Sequence, residues 1–260
     1  MRKYLIYSIF GAIGAFIIFI IYFSIFGVKT ERFNDLIIDK IKAFDPKLTL
    51  DINDVFLKLD LSKKSININT ENAKLKFDKE YISLSKIDLN LDILNFIKNE
   101  NSIKTIKILT KKNKIDKVTS FLNSYKFNLA RYIFYNQIEE GYIGANIDIN
   151  FIESSATNFV FNISGKISDG KLNVLNNKKI EDINFDFNIN DKKYTIKKVT
   201  FKSDEIHFSS DEILIKKLKS NYEIKGNLEN KKGLIDPNFL SKAFNINLDF
   251  IENKKILAST

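Results

Sequence analysis

The hydrophobic pattern opens with an unbroken block: from Tyr4 to Val28 there is no charged residue. As a helix, those 25 residues at about 1.5 Å each reach roughly 37 Å, more than the roughly 30 Å hydrocarbon core of a bilayer. This predicts a spanning helix. Arg2 and Lys3 would also suit the basic start of a cleaved signal peptide. The apolar run, however, is about twice the usual length for one, and Ser24 to Gly27 lacks the small-residue cleavage pattern, which favours an anchor. Counting the free amino group, basic residues are slightly in excess ahead of the span, which favours a cytoplasmic N-terminus. With no second span predicted, residues 29–260 then lie across the membrane. Gly11 and Ala15 form a small-xxx-small pair that can bring two such helices together.

Past the span, Phe33, Leu36, Ile37, Ile41 and Phe44 recur at helical spacing and predict a juxtamembrane amphipathic helix, closed by Pro46. From Leu48 the period falls to two. Leu48, Leu50 and Ile52 alternate with polar residues, and after a slip at Asn53-Asp54, read as a bulge, Leu57, Leu59 and Leu61 resume on the other parity. Ser62-Lys63-Lys64-Ser65 reads as a turn. Ile66 and Ile68, then Ala73, Leu75 and Phe77, then Ile87, Leu89, Leu91 and Ile93, then Ile103 to Leu109 continue the alternation. Ile115, Val118, Leu122, Tyr125, Leu129 and Tyr132 or Ile133 predict one helix near 115–138, stopped by Gly141. Beyond Gly144, strands are predicted around Ala145 to Phe151, Phe159 to Ile163, Ile183 to Ile189 and onward to Phe250, with Asp169-Gly170 as a two-residue hairpin turn. The fold class is therefore mainly β: a transmembrane helix (4–28) behind a short tip (1–3), a juxtamembrane helix (29–46), and an antiparallel β-meander over 47–260 with one or two amphipathic helices. The chain ends at Thr260 without an obvious closing element, as a short relative or a fragment of a longer protein would.

Composition narrows the chemistry. There is no Cys and one His, which removes disulfides, thiolate nucleophiles, histidine triads and Cys/His zinc sites. His207 lies in a strand-like stretch between Ile206 and Phe208. Glu139-Glu140 reads as a solvated helix end, since adjacent helical residues diverge and cannot share a proton. Gly141 and Gly144 read as turn residues, and no phosphate-cradling glycine loop exists. Asn162-Ile163-Ser164 matches a glycosylation sequon but falls inside a predicted strand. The bias toward Lys, Asn, Ile and Phe follows AT-rich codons. The net charge of +9 is spread along the chain, with lysine pairs between apolar runs, so it argues for soluble strand edges and against nucleic acid. Neither an enzyme nor a catalytic, metal or cofactor site is expected.

The order of elements, with Leu48-Thr-Leu-Asp-Ile-Asn-Asp-Val, Ile66-Asn-Ile-Asn, Ile87-Asp-Leu-Asn-Leu-Asp-Ile-Leu, Ile103-Lys-Thr-Ile-Lys-Ile and Gly165-Lys-Ile-Ser-Asp-Gly-Lys-Leu, resembles the N-terminal portion of the AsmA-like family, which includes TamB and YhdP. That resemblance implies a Gram-negative inner-membrane anchor with the bulk of the chain in the periplasm, and a β-sheet curled into an open groove for phospholipid acyl chains. It implies a role in intermembrane lipid transport or outer-membrane homeostasis, alongside longer envelope proteins as partners. Phe159, Phe161, Ile163, Phe185, Phe187 and Ile189 are the expected groove residues. The same alternation also suits a closed β core in an anchored scaffold for outer-membrane assembly.

Overall fold

The computed structural model describes residues 2–31, 34–98, 102–125, 132, 135–152, 158–174, 178–203, 206–218, 222–230, 234–235 and 256–257. Helix α1 (Arg2–Ile25) leads into strand β1 (Val28–Thr30), α2 (Asn34–Phe44), β2 (Leu48–Asp51), β3 (Val55–Asp60), β4 (Ser65–Glu71), β5 (Lys74–Phe77) and β6 (Glu80–Asp92). A short α3 (Ile93–Ile97) precedes β7 (Ile103–Thr110), β8 (Asn113–Lys114), α4 (Ile115–Tyr125), β9 (Ile138–Phe151) and β10 (Phe159–Val174). The chain continues through β11 (Lys178–Asn190), β12 (Lys193–Ser203), β13 (Ile206–Lys217), β14 (Tyr222–Gly226), β15 (Glu229–Asn230), β16 (Leu234–Ile235) and β17 (Ile256–Leu257). The molecule is mainly β. Its principal sheet follows the order β1-β3-β4-β6-β7-β9-β10-β11-β12-β13-β14, and β16 pairs β17 separately. By contacts the chain forms two units: Met1–Asn113, Ser120–Lys126 and Gly144–Ile163 make the first, and Lys114–Thr119, Phe127–Ile143 and Ser164–Thr260 the second.

In the first unit, α1 carries a stretch, Tyr7–Ile25, long and apolar enough to cross a membrane, and none of that stretch is buried. The helix ends at Ile25, short of the predicted Val28, because Gly27 adopts φ +70° and sends the chain straight into the sheet. A Cβ on Gly27 would lie 2.6 Å from the Leu57 carbonyl oxygen and 2.5 Å from the Phe56 ring, so helix and strand meet with no room for a side chain. Val28 then pairs with Leu57 and Thr30 with Val55.

The core of this unit lies under α2. Ile37 is buried, and Ile38 and Ile41 pack with it against Leu50, Val55, Leu57, Ile68, Leu84, Ile87 and Leu91. Phe33, the first residue of the predicted stripe, lies outside the described residues. The cross-strand rows Leu57–Ile68–Leu89 and Leu59–Ile66–Leu91 put every second residue on this face. The parity slip at Asn53-Asp54 is not a bulge. It marks a change of partner: β2 pairs β5, whereas β3 pairs β1 and β4, so the two halves of the pattern belong to different ladders. A second cluster joins Leu48, Phe77 and Phe121, with the Phe77 ring edge-on to Phe121 at 6.4 Å and to Tyr125 at 5.4 Å.

In the helix expected near 115–138, α4 runs from Ile115 to Tyr125 and Tyr132 and Tyr135 are helical too, while Leu129 and Ile133 lie outside the described residues. Three other local expectations change. Glu139-Glu140 and both glycines after it sit inside β9 rather than at a helix end and turn. Ile93, expected as a strand residue, starts α3, because the Asp92 carboxylate caps that helix by accepting from the Asn95 N–H at 3.0 Å. Asp169-Gly170 is no hairpin. Strand β10 runs through it, with Asp169 at φ 55°, and the reversal comes earlier, where the Ile152 N–H reaches the Asn158 carbonyl at 2.9 Å.

In the second unit, three neighbouring strands each carry one left-handed residue: Asp169, Asp182 and Lys198. Asn184 braces two of them, accepting from the Asp169 N–H at 3.2 Å and donating to the Asp182 carbonyl at 2.8 Å. Register shifts in β11 against β12 fall at the same level, so these are bulges. Gly141 and Gly170 provide the close approach they need: a Cβ on Gly141 would sit 3.0 Å from the Gly170 Cα, and one on Gly170 3.0 Å from the Ile183 Cβ.

Candidate acyl-binding surface

Alternation gives each strand two chemically different faces. In the first unit the apolar rows Leu89–Ile106–Ile149 and Ile87–Ile108–Ile147 cross three strands. On the strands nearest the far end of these rows, Phe151 and Phe159 meet at 5.9 Å. Among the expected groove residues, Phe161 and Ile163 are half-buried on β10 and Phe159 is 46 % exposed. The other face is polar. There Asn67 and Asn90 pair side chain to side chain at 2.6 Å, Lys86 holds Asp88 at 2.9 Å and Lys107 faces Asp148 at 3.9 Å.

In the second unit Phe185, Phe187 and Ile189 share one face of β11, all half-buried, with the two rings 6.5 Å apart. Phe187 continues into the row Ile196–Ile213, and Ile189 into Tyr194–Ile215–Ile224. Asp186, Lys197 and Glu212 occupy the register positions beside the Phe187 row, on the side away from Ile189, and Lys197 and Glu212 bond at 3.0 Å. A carboxylate network ties β9 to its neighbours: Lys171 lies 2.9 Å from Glu181 and 3.7 Å from Glu139. The ammonium of Lys171 is held above its ordinary pKa by that bond to Glu181, while Glu181 is held below its own by Lys171.

The two units differ sharply in how much apolar surface they enclose. Of the fourteen buried apolar side chains among the described residues, twelve belong to the first unit; Val199 and Phe208 alone belong to the second. Burial in the second unit falls instead on small polar side chains such as Thr195, Ser203 and Ser210. Its Ile and Phe rows stay part-exposed. Such a surface can shield methylenes, each worth about 0.8 kcal/mol on leaving water.

His207 sits exposed on β13 opposite Lys202. Among the described residues, no three His, Asp or Glu side chains stand together as a metal site. On α1, a Cβ at Gly11 would meet nothing within 4 Å, and Ala15 is exposed, so this pair is open to a partner helix. Sequence reasoning missed two features near α1. One is a polar recess lined by Lys29, Asn53, Asp54, Phe56, Asn69 and Lys86. The other is an exposed apolar group at Leu61 and α3. The second had one readable signal: Asp92, a helix-capping residue type, stands just ahead of the non-alternating apolar cluster Ile93, Leu94, Phe96 and Ile97.

These features define a class: an open antiparallel sheet with apolar and polar faces, joined without a linker to an N-terminal helix long and apolar enough to span a membrane. No protein-family model, curated protein or solved structure matches the chain.

Proposed function

We propose that this chain is an inner-membrane-anchored, periplasmic protein that binds phospholipid acyl chains along the apolar face of its sheet and so contributes to intermembrane lipid transport or outer-membrane homeostasis. The observation that carries this reading is the contrast in burial: among the described residues, the second unit leaves rows of Ile and Phe half-exposed and buries only Val199 and Phe208 of its large apolar side chains. Apolar rows left part-exposed along neighbouring strands suit an apolar occupant. The energetic fit is direct. A phospholipid with about 32 chain carbons costs on the order of 25 kcal/mol to expose to water, and a continuous apolar strip removes most of that barrier. The resemblance to AsmA-like proteins supports the envelope location and a groove-like curl of the sheet.

A second reading, an anchored scaffold for outer-membrane assembly, draws on the closed core beneath α2 in the first unit. Photocrosslinking separates the two. A benzophenone side chain placed at Phe161 or Phe187 in the full chain, in native membranes, is expected to yield phospholipid adducts by mass spectrometry, whereas Asp148 and Asn188 on the alternate faces yield none. Absence of adducts at all four positions in a folded chain would sink lipid binding and favour the scaffold.

A further inference from the structure

One end of the first unit carries a surface that the proposed function does not use. Strand β1 runs antiparallel to β3, with Val28 opposite Leu57 and Thr30 opposite Val55. The chain therefore enters β1 from the end toward which β3 runs, where Leu59, Asp60 and the turn at Leu61 lie. Strand β6 stops at that same end, with Asp92 opposite Ser65, and α3 begins there. The Ile93 N–H donates to the Lys64 carbonyl at 3.1 Å, locking α3 against the turn. So the place where α1 leaves the sheet, the Leu61 turn and α3 share one edge of the molecule.

That edge is apolar and uncovered. Leu61 is 51 % exposed, Leu94 55 % and Ile97 71 %, with Phe96 beside them at 40 %. Leu94 and Ile97 are three apart in a helix and point the same way. Exposed Lys63, Lys64 and Lys98 fringe the group. The two nearby carboxylates are engaged internally: Asp60 accepts from the Ser62 hydroxyl and the Lys63 N–H, and Asp92 holds Lys104 and the Asn95 N–H. Large apolar side chains beside lysines, next to the exit of a spanning helix, are the composition of a surface that sits in the headgroup layer of an anionic bilayer.

We propose that the Leu61 turn and α3 dock into the interface of the same bilayer that α1 crosses, so that the first unit lies against the membrane instead of hanging from it. The proposal rests on α1 being inserted, and the test keeps the two apart. The chain has no native cysteine, so each introduced one is unique. Full-length Ile97→Cys, Ala12→Cys and Lys111→Cys, each carrying a nitrobenzoxadiazole probe, are reconstituted in vesicles of phosphatidylethanolamine and phosphatidylglycerol. Ala12 lies within α1, and Lys111 follows β7, which runs away from the α3 end. Ile97 is so exposed that its replacement leaves the fold intact, which an unchanged circular dichroism spectrum checks. Quenching of the Ile97 probe by brominated acyl chains is expected to exceed that at Lys111 several-fold, with matching protection from aqueous iodide. A quenched Ala12 probe with an Ile97 probe as iodide-accessible as Lys111 would overturn the docking while leaving the anchor in place, and would leave the patch to a protein partner. An unquenched Ala12 probe would remove the anchor and the docking together.

Discussion

At the scale of single residues, backbone conformation and close contact decide more than side-chain chemistry. Gly141 combines φ +135° with a Gly170 Cα that a Cβ would approach to 3.0 Å. Gly141→Ala is therefore expected to cost about 2 kcal/mol, read as a lower urea midpoint of the full chain in detergent. Gly144, three residues along the same strand, has open space around it, so Gly144→Ala should shift stability by less than about 0.5 kcal/mol. Asp92 gives a pH signature. Its carboxyl is held below the ordinary value by the Lys104 ammonium at 2.8 Å and by the Asn95 N–H. A carboxyl depressed in the folded state adds stability that is fully present above the ordinary carboxylate pKa and is lost as pH falls through the lower, folded value. Unfolding midpoints measured from pH 7 downward should therefore drop on the acid side, and Asp92→Asn should flatten that drop.

At the scale of elements, packing fixes α2 and α4 to the strands they touch. Phe121 fixes α4 to Phe77 and Leu48, and Phe121→Ala should destabilise the first unit by about 3–5 kcal/mol in chemical denaturation. Such helices were legible in the sequence because their apolar residues recur at helical spacing, and the strands because Ile, Leu and Phe alternate with Asn, Asp and Lys. What escaped were places where one pattern serves two structures. The slip at Asn53-Asp54 looks like a bulge, yet it is where the chain changes ladders, and only pairing reveals that. Asp169-Gly170 has the composition of a turn, but the left-handed geometry favouring a turn also makes a bulge inside a 16-residue strand. Glu139-Glu140 is no helix end because it lies inside β9, where Glu139 meets Lys171 of β10 and Lys179 of β11, both more than thirty positions away. Of the surface residues, the alternation placed Phe159, Phe161, Ile163, Phe185, Phe187 and Ile189 on strands, while the α3 patch stayed hidden because five residues carry no period.

At the scale of the whole molecule, burial is uneven, and local stability should follow it. Amides of β3, β4 and β6, beneath α2, are expected to exchange hydrogen far more slowly than those of β13 and β14, measured by mass spectrometry on the intact chain. The strand order has a further consequence for how the protein is made. Along the principal sheet every step leads from one strand to a later one in the chain, and the detours through β2, β5 and β8 pair with strands close in sequence. On that main path each later strand finds its neighbour already made, although the steps from β1 to β3 and from β7 to β9 close longer loops than the hairpins do. A chain emerging from its N-terminus can be knitted into its sheet row by row, with its earliest rows paired before its last residues have been synthesised.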